Sequence, residues 1–394
     1  MQIYGRTYDT NRPVRLDIES GIIGNADYSV VADEKDKWPL LAPGLVDLQT
    51  NGFNGQEFGS PDITPDKLRE TIFASDSLGV TQACPTLITN SFEVLRHSVK
   101  TIARACDEFP EIAARIPGIH LEGPFITQVD GPRGAHPIQH CRSPDWDEFQ
   151  SLQDAADGRV VILTMSPEYD GAIEFIKRVV ETGVIVSIGH AAATSDQIRA
   201  AIDAGARMST HLGNGSHLMI PRHQNYLWPQ LADDRVVAGL ICDGFHLPPD
   251  VIKCFVRAKG LDNCVLVSDV SGLAGLPPGR YEAGHGELEI LPNGKIVVAG
   301  QTELLAGASL PLGVGIVNVM DSAGVSLEAA VNMATKNPAR LIGMDRHELE
   351  PGSLADLVLF DLVETDDRSG KPKFVVRATV NSGQVVAGEL WQPK

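Results

Sequence analysis

No apolar run in this 394-residue sequence approaches the ~20 residues that a membrane-spanning helix requires, so no membrane partner is expected. Positive charge is in deficit. Lys and Arg number 33 against 51 Asp and Glu, a formal net charge of −18 that leaves no cationic excess for nucleic acid or an anionic surface. A small anionic ligand is not excluded, because a few local donors suffice for it. The six cysteines (Cys84, Cys106, Cys141, Cys242, Cys254 and Cys264) are scattered without a C-x-x-C pair. That argues for reduced thiols and against a structural zinc cluster. The opening stretch MQIYGRTYDTNRPVRLDIES lacks the basic-then-apolar layout of a signal peptide, which predicts a soluble, cytoplasmic protein. Repeats, low-complexity tracts and long linkers are missing as well.

What remains is an ordinary globular composition, 43% hydrophobic and 21% charged, at a length that fits one barrel of about 250 residues plus an appendage. Short apolar strand-like runs recur at 41–48, 80–84, 116–121, 160–164, 184–188, 206–210, 236–241 and 264–267. Between them, stretches such as 91–106, 170–182 and 195–204 carry the apolar spacing of amphipathic helices. Eight such units predict an α/β fold, a (β/α)8 TIM-type barrel, with an open doubly wound sheet as the alternative. The ends read differently: strands alternate at 14–18 and 29–32, and again at 357–360, 374–379 and 384–387. Residues 281–298 look like a hairpin turning at Pro292-Asn293-Gly294. Residues 1–40 and 346–394 are therefore expected to form one small β-sandwich domain, with the barrel, 41–345, inserted in it.

Several apolar runs halt abruptly at titratable residues. The third ends in His120-Leu121-Glu122, the fifth in His190, the sixth in His211 and the eighth in Ser268-Asp269. Side chains at the C-terminal ends of barrel strands share one mouth. Each residue alone has a plainer reading: a lone strand-end histidine is more often a hydrogen-bonded support, and Asp269 alone could cap a helix. His120 could be a support or a ligand. Convergence from four strands makes coincidence the weaker explanation. Two imidazoles and a carboxylate with an open position form a catalytic zinc-type set, and a carboxylate outside it can shuttle protons.

These residues lie in motifs that the chain carries along almost its whole length: PGLVDLQTNG (43–52), HLEGPF (120–125), GAHP (134–137), GHAAAT (189–194), THLGNG (210–215), DGFHLPP (243–249), VSD (267–269), LAGASL (305–310), ATKNPA (334–339) and GSLADLVLFD (352–361). In them the sequence resembles the N-acetylglucosamine-6-phosphate deacetylase family of the amidohydrolase superfamily. HLEGPF followed by GAHP is the more specific part; NPA and ADLV are widespread. The resemblance implies the barrel, the flanking β-sandwich and a homodimer. It implies Glu122, His190 and His211 as metal ligands, Asp269 as the catalytic aspartate and His136 as the group polarising the substrate carbonyl. Ala135, Asn214, Gly215 and His246 then fall at the substrate, the last three around the sugar phosphate. Arg222 falls where the family has an arginine reaching the phosphate across the dimer interface. The ion expected is a single divalent metal, zinc before iron, cobalt or manganese. Many amidohydrolases end the first strand with H-x-H for a second metal, whereas this chain has Gln49-Thr50-Asn51, and amides are poor ligands beside imidazole and carboxylate.

The implied reaction is hydrolysis of the acetamide of N-acetylglucosamine 6-phosphate to glucosamine 6-phosphate and acetate. Gly213-Asn214-Gly215-Ser216-His217 departs from the aromatic-Asn-Ala-Met run usual after THL, a departure on the substrate side of the site and not at the metal set. His217 and His223 are either substrate contacts or surface residues. The rival readings are the same chemistry on an unphosphorylated amino sugar or an N-acyl amino acid, a ring-opening cyclic amidase, and a catalytically silent sugar-binding relative.

Overall fold

The structure, a computed structural model, describes residues 1–31, 38–283, 286–302, 304–344, 347–365 and 370–392. Eight parallel strands lie side by side in chain order: β1 (Leu45–Thr50), β2 (Val80–Ile88), β3 (Ile119–Glu122), β4 (Val160–Met165), β5 (Ile185–Ile188), β6 (Met208–Ser209), β7 (Val237–Leu240) and β8 (Cys264–Leu266). Each is followed by a helix: α1 (Pro65–Ala74), α2 (Phe92–Glu108), α3 (Trp146–Ala155), α4 (Ala172–Glu181), α5 (Ser195–Asp203), α6 (Leu227–Ala232), α7 (Pro249–Lys259) and α8 (Leu312–Ala323). This is the expected (β/α)8 barrel, nearly closed. Asp269 N–H to the Gln49 carbonyl (2.9 Å) and Asn51 N–H to the Val270 carbonyl (2.7 Å) join its first and last strands at the C-terminal end. At the other end Val46 and Leu266 each donate at 2.8 Å to the carbonyls of Ala334 and Met333, which sit between the two strands.

The strands read as unbroken apolar runs because helices cover them outside and side chains fill them inside. Val46, Leu48, Cys84, Ile162, Ile185, Met208 and Val265 pack that interior. Helix starts follow local chemistry. Ser91 Oγ accepts from Val94 N–H at the head of α2, Thr194 and Gln197 form a reciprocal capping box on α5, and Pro65 and Pro249 stand in the first turns of α1 and α7.

The chain's ends meet in one seven-stranded sheet, in the order Gln384–Gly388, Lys373–Asn381, Leu357–Val363, Leu40–Pro43, Gln2–Thr7, Pro13–Glu19, Ile22–Asp27. All pairs are antiparallel except Gln2–Thr7 with Leu40–Pro43. The sheet meets the barrel near the beginnings of β1 and β2, away from the strand ends that carry the polar residues. Gly44 N–H donates to the Asp356 carbonyl (2.8 Å), Gln82 Nε2 to Asp356 Oδ2 (2.9 Å) and Asn381 Nδ2 to the Thr81 carbonyl (3.0 Å).

Four local expectations need correction. The run at 41–48 is two strands, Leu40–Pro43 in the terminal sheet and β1 in the barrel. Between them Gly44 lies so close to β2 that a Cβ would stand 2.1 Å from Thr81 Oγ1. The strand expected at 29–32 does not form over 29–31, and Ala32 lies outside the described residues. The partner of Pro13–Glu19 is Ile22–Asp27, reached through Ser20 and Gly21 at φ of 50° and 78°. Both central residues are left-handed, as a two-residue hairpin turn demands. Residues 281–298 belong to a three-stranded sheet, Gly279–Ala283, Gly286–Ile290 and Ile296–Val298, with the turn at 292–294 joining its last two strands. The run at 206–210 shortens to β6, Met208–Ser209. The division between 345 and 346 lies outside the described residues.

Candidate active site

Three strand-end residues share an unusual backbone. His190, His211 and Asp269 have φ of 48°, 26° and 51°, a region that side-chain-bearing residues seldom occupy and that surrounding structure must enforce. Among the described residues, the remaining non-glycine residues of this kind are Asn, Asp or Ser. The chain thus bends sharply after β5, β6 and β8 and turns a titratable side chain into the mouth.

There Glu122 Oε1, His190 Nε2 and His211 Nε2 form a triangle with sides of 3.1, 3.0 and 3.0 Å. Atoms bound at about 2.0–2.1 Å to one tetrahedral ion stand about 3.3 Å apart, so the triangle has the size of one face of such a site. The tautomer fits too. His190 Nδ1 is 2.9 Å from the Pro132 carbonyl, which takes the ring proton there and leaves a lone pair on Nε2. His211 Nδ1 has no protein partner among the described residues. His136 Nε2 stands 3.2 Å from His190 Nε2, and its Nδ1 lies 2.9 Å from Thr89 Oγ1. Ligand-type atoms of Glu122, His136 and His190, all buried, lie within 4.8 Å of one another. Glycine is needed after Glu122 because a Cβ at Gly123 would meet that same Thr89 oxygen at 2.1 Å.

The charges of these groups are coupled. Against the desolvation of burial, His190 and His211 hold the Glu122 carboxyl well below the usual carboxylate range. Burial works against a charge on His211, yet Glu122 keeps its imidazole above the ordinary value. Asp269 goes the other way: burial and then the Glu122 charge push its carboxyl up to about 6.

The amides of β1 lie directly against these carboxylates. Gln49 Nε2 is 3.0 Å from Glu122 Oε1 and 3.3 Å from Asp269 Oδ1, and Asn51 Nδ2 is 2.7 Å from Asp269 Oδ1. A carboxylate only accepts, so both amides must present nitrogen to it. His120 is a support: its Nδ1 is 2.9 Å from the Leu48 carbonyl and its Nε2 2.7 Å from Thr164 Oγ1, so neither nitrogen is free for an ion. Burial pushes its imidazole below the ordinary value, toward the neutral ring.

A cavity of about 490 Å³ opens over Glu122, His136, His190, His211 and Asp269, and Ala135, Asn214, Gly215, His217 and His246 also line it. His246 Nδ1 is held 2.8 Å from Asp243 Oδ2. Against the desolvation of burial, His246 and two backbone N–H groups keep the Asp243 carboxyl below its ordinary value. Asn214 turns its amide back onto the His211 carbonyl at 3.2 Å, and His217 packs its ring on Tyr226 while its backbone N–H donates to that hydroxyl at 2.8 Å. Arg222 and His223 are exposed and do not line the cavity of their own chain. Sequence reading missed Thr89, Pro132 and Asp243 as supports. The DGFH spacing offered a sign of the last; the other two act from 47 and 58 residues away and carry none.

The family model for amidohydrolases matches residues 40–386. The chain belongs to the amidohydrolase family. Among amidohydrolases it is similar to the N-acetylglucosamine-6-phosphate deacetylase of Bos taurus, 34% identical over 371 residues that cover 90% of this chain and 84% of that one. It is also similar to the N-acetylgalactosamine-6-phosphate deacetylase of Escherichia coli O157:H7, 31% identical over 88% of this chain and 90% of the relative. An Asp-to-Ala mutant of the Mycobacterium smegmatis N-acetyl-D-glucosamine-6-phosphate deacetylase, solved in complex with N-acetyl-D-glucosamine-6-phosphate, superposes with a TM-score of 0.83 at 30% identity over 95% of this chain and 94% of that one. No helix among the described residues is long and apolar enough to cross a membrane.

Proposed function

We propose that this amidohydrolase hydrolyses the acetamide of an N-acetyl amino sugar 6-phosphate, N-acetylglucosamine 6-phosphate first, releasing acetate and the free amine. The observation that carries the reading is the buried triangle of Glu122, His190 and His211, with Asp269 beside it, under a 490 Å³ cavity. Similarity to deacetylases of this substrate class supports it. The cavity lies within the range of about 300–1,000 Å³ usual for small-molecule sites.

Glu122, His190 and His211 would hold one divalent ion, zinc before iron, cobalt or manganese. Such an ion supplies Lewis-acid polarisation and a water that ionises near neutral pH. Gln49 and Asn51 already satisfy Glu122 and Asp269 with N–H donors where a second ion would need acceptors. Asp269, its carboxylate held by Asn51 and Gln49, accepts the water proton and delivers it to the departing nitrogen. His136, oriented through Thr89, polarises the acyl carbonyl. His246 and the backbone around Asn214 and Gly215 receive the sugar phosphate, and Ala135 lies against the substrate.

Leu218 and Met219, 97% and 89% exposed, flank the same loop as Arg222, with half-exposed Trp228 close behind in sequence. This face is read as the contact with a second copy, whose Arg222 then reaches the phosphate, making the enzyme a homodimer. The cytoplasmic reading rests on the sequence, whose scattered cysteines offer no C-x-x-C pair.

The test is acetate release from a panel: the 6-phosphates of N-acetylglucosamine and N-acetylgalactosamine, and the two unphosphorylated sugars. The highest kcat/KM is expected on N-acetylglucosamine 6-phosphate. Preference for the galacto epimer would correct the sugar, and preference for a plain sugar would remove the phosphate reading.

A further inference from the structure

We infer that Asp47, a buried carboxylate on β1 that takes no part in the chemistry above, is a positioning residue that holds Asp269 in place through Ser268. The inference rests on the reading of Asp269 as the proton acceptor.

Asp269 stands at φ 51°, a conformation that costs a non-glycine residue free energy and persists only where neighbours enforce it. The enforcement comes from β1. Asp47 Oδ1 accepts the Ser268 backbone N–H at 3.1 Å, and Oδ2 accepts the Ser268 hydroxyl in a short bond. The Ser268 oxygen in turn accepts Val270 N–H at 3.2 Å, so one carboxylate and one hydroxyl fix the residues on both sides of Asp269. Asp269 itself is pinned twice more: its N–H donates to the Gln49 carbonyl at 2.9 Å, and its carbonyl accepts Ala308 N–H at 2.7 Å. Asn51 and Gln49 then receive its carboxylate. Asp47, Gln49 and Asn51 are alternate residues of one strand end, and each grips a different part of the 268–270 turn.

The residue type matters. Asp47 also accepts Gln49 N–H at 3.3 Å, so its two oxygens take three donors, which a carboxylate can do without donating in return. Asparagine keeps the shape but replaces one acceptor with a donor. At 3% exposure the carboxylate is buried, and burial pushes it up to about 7, so keeping a carboxylate here is costly for the fold. A mere link between β1 and β8 is already made by the backbone bonds of Gln49 and Asn51, and these do not involve Asp47.

The test compares Asp47→Asn, Ser268→Ala, their combination and Asp269→Asn. It reads kcat and KM on the best substrate of the panel, metal content and melting temperature, and takes a crystal structure of Ser268→Ala. The two single variants are expected to lower kcat by about 10- to 100-fold, the loss that a misplacement near 1 Å brings, with KM and metal content within about two-fold. The combination should be no worse than the poorer single, because both act through one link. The crystal structure should show Asp269 displaced from Asn51. Unchanged kcat per metal-loaded chain with a lower melting temperature, additive losses, or an undisplaced Asp269 each overturn the inference and leave Asp47 a seam staple. Turnover surviving in Asp269→Asn instead overturns the reading beneath it. Collapse in Asp269→Asn with normal turnover in Ser268→Ala sinks the inference alone.

Discussion

Two glycines press against the imidazole of His190. A Cβ at Gly134 would stand 3.3 Å from its Cε1, and one at Gly215 only 2.9 Å from Nδ1 and 3.1 Å from the Pro132 carbonyl that orients the ring. Gly215 also sits at φ 54°, where alanine is strained. Gly215→Ala is therefore expected to disturb the His190–Pro132 bond and to lower zinc affinity by about 10- to 100-fold, as loss of a group supporting a ligand does. Chelator competition measures this, and unchanged affinity would show that His190 is not a ligand. His211 and His136 differ in a testable way. His211 Nε2 touches both Glu122 and His190, whereas His136 Nε2 touches His190 and has its other nitrogen on Thr89. His211→Ala should lose the ion on dialysis. His136→Ala should keep it while kcat falls about 100- to 1,000-fold, as on removal of an oxyanion donor. Loss of metal in His136→Ala would instead make His136 a ligand.

At the scale of elements, the loop between β6 and α6 carries the substrate question. Its beginning lines the cavity, and its middle exposes Leu218, Met219, Arg222 and His223. A charge-assisted contact from Arg222 to a phosphate contributes about 1.5–3 kcal/mol. Arg222→Ala should then raise KM for the 6-phosphate sugar at least about tenfold and leave the plain sugar unaffected; equal effects on both would remove Arg222 from phosphate recognition. Elements also show what the sequence could and could not disclose. β3, β5, β6 and β8 were legible at their ends because each apolar run stops at His, Glu or Asp, the point where a buried strand meets the mouth. The Ser20-Gly21 turn, two residues with a glycine, is a local sign of the hairpin that the alternation at 29–32 obscures. The supports were not legible at all. Asp47 meets Ser268 across 221 residues and His120 meets Leu48 across 72, and no local period records such pairs. His120 and Glu122, two apart on one strand, looked equivalent; only the positions of Leu48 and Thr164 separate a support from a ligand.

For the molecule as a whole, a net charge of −18 repels anions at long range, so any dianionic substrate must be held by local donors against that field. The barrel supplies the frame for this. Its seam closes through the backbones of Gln49 and Asn51, whose side-chain amides also hold Asp269, and Glu122, His190 and His211 line the cavity beside them. One ion per chain should restore the whole activity. The direct measurement is a zinc titration of metal-stripped protein, following acetate release from N-acetylglucosamine 6-phosphate. Activity should rise linearly from zero and break sharply at one equivalent per chain. Full activity without metal, a break at two equivalents, or no acetate at any zinc level would contradict the account.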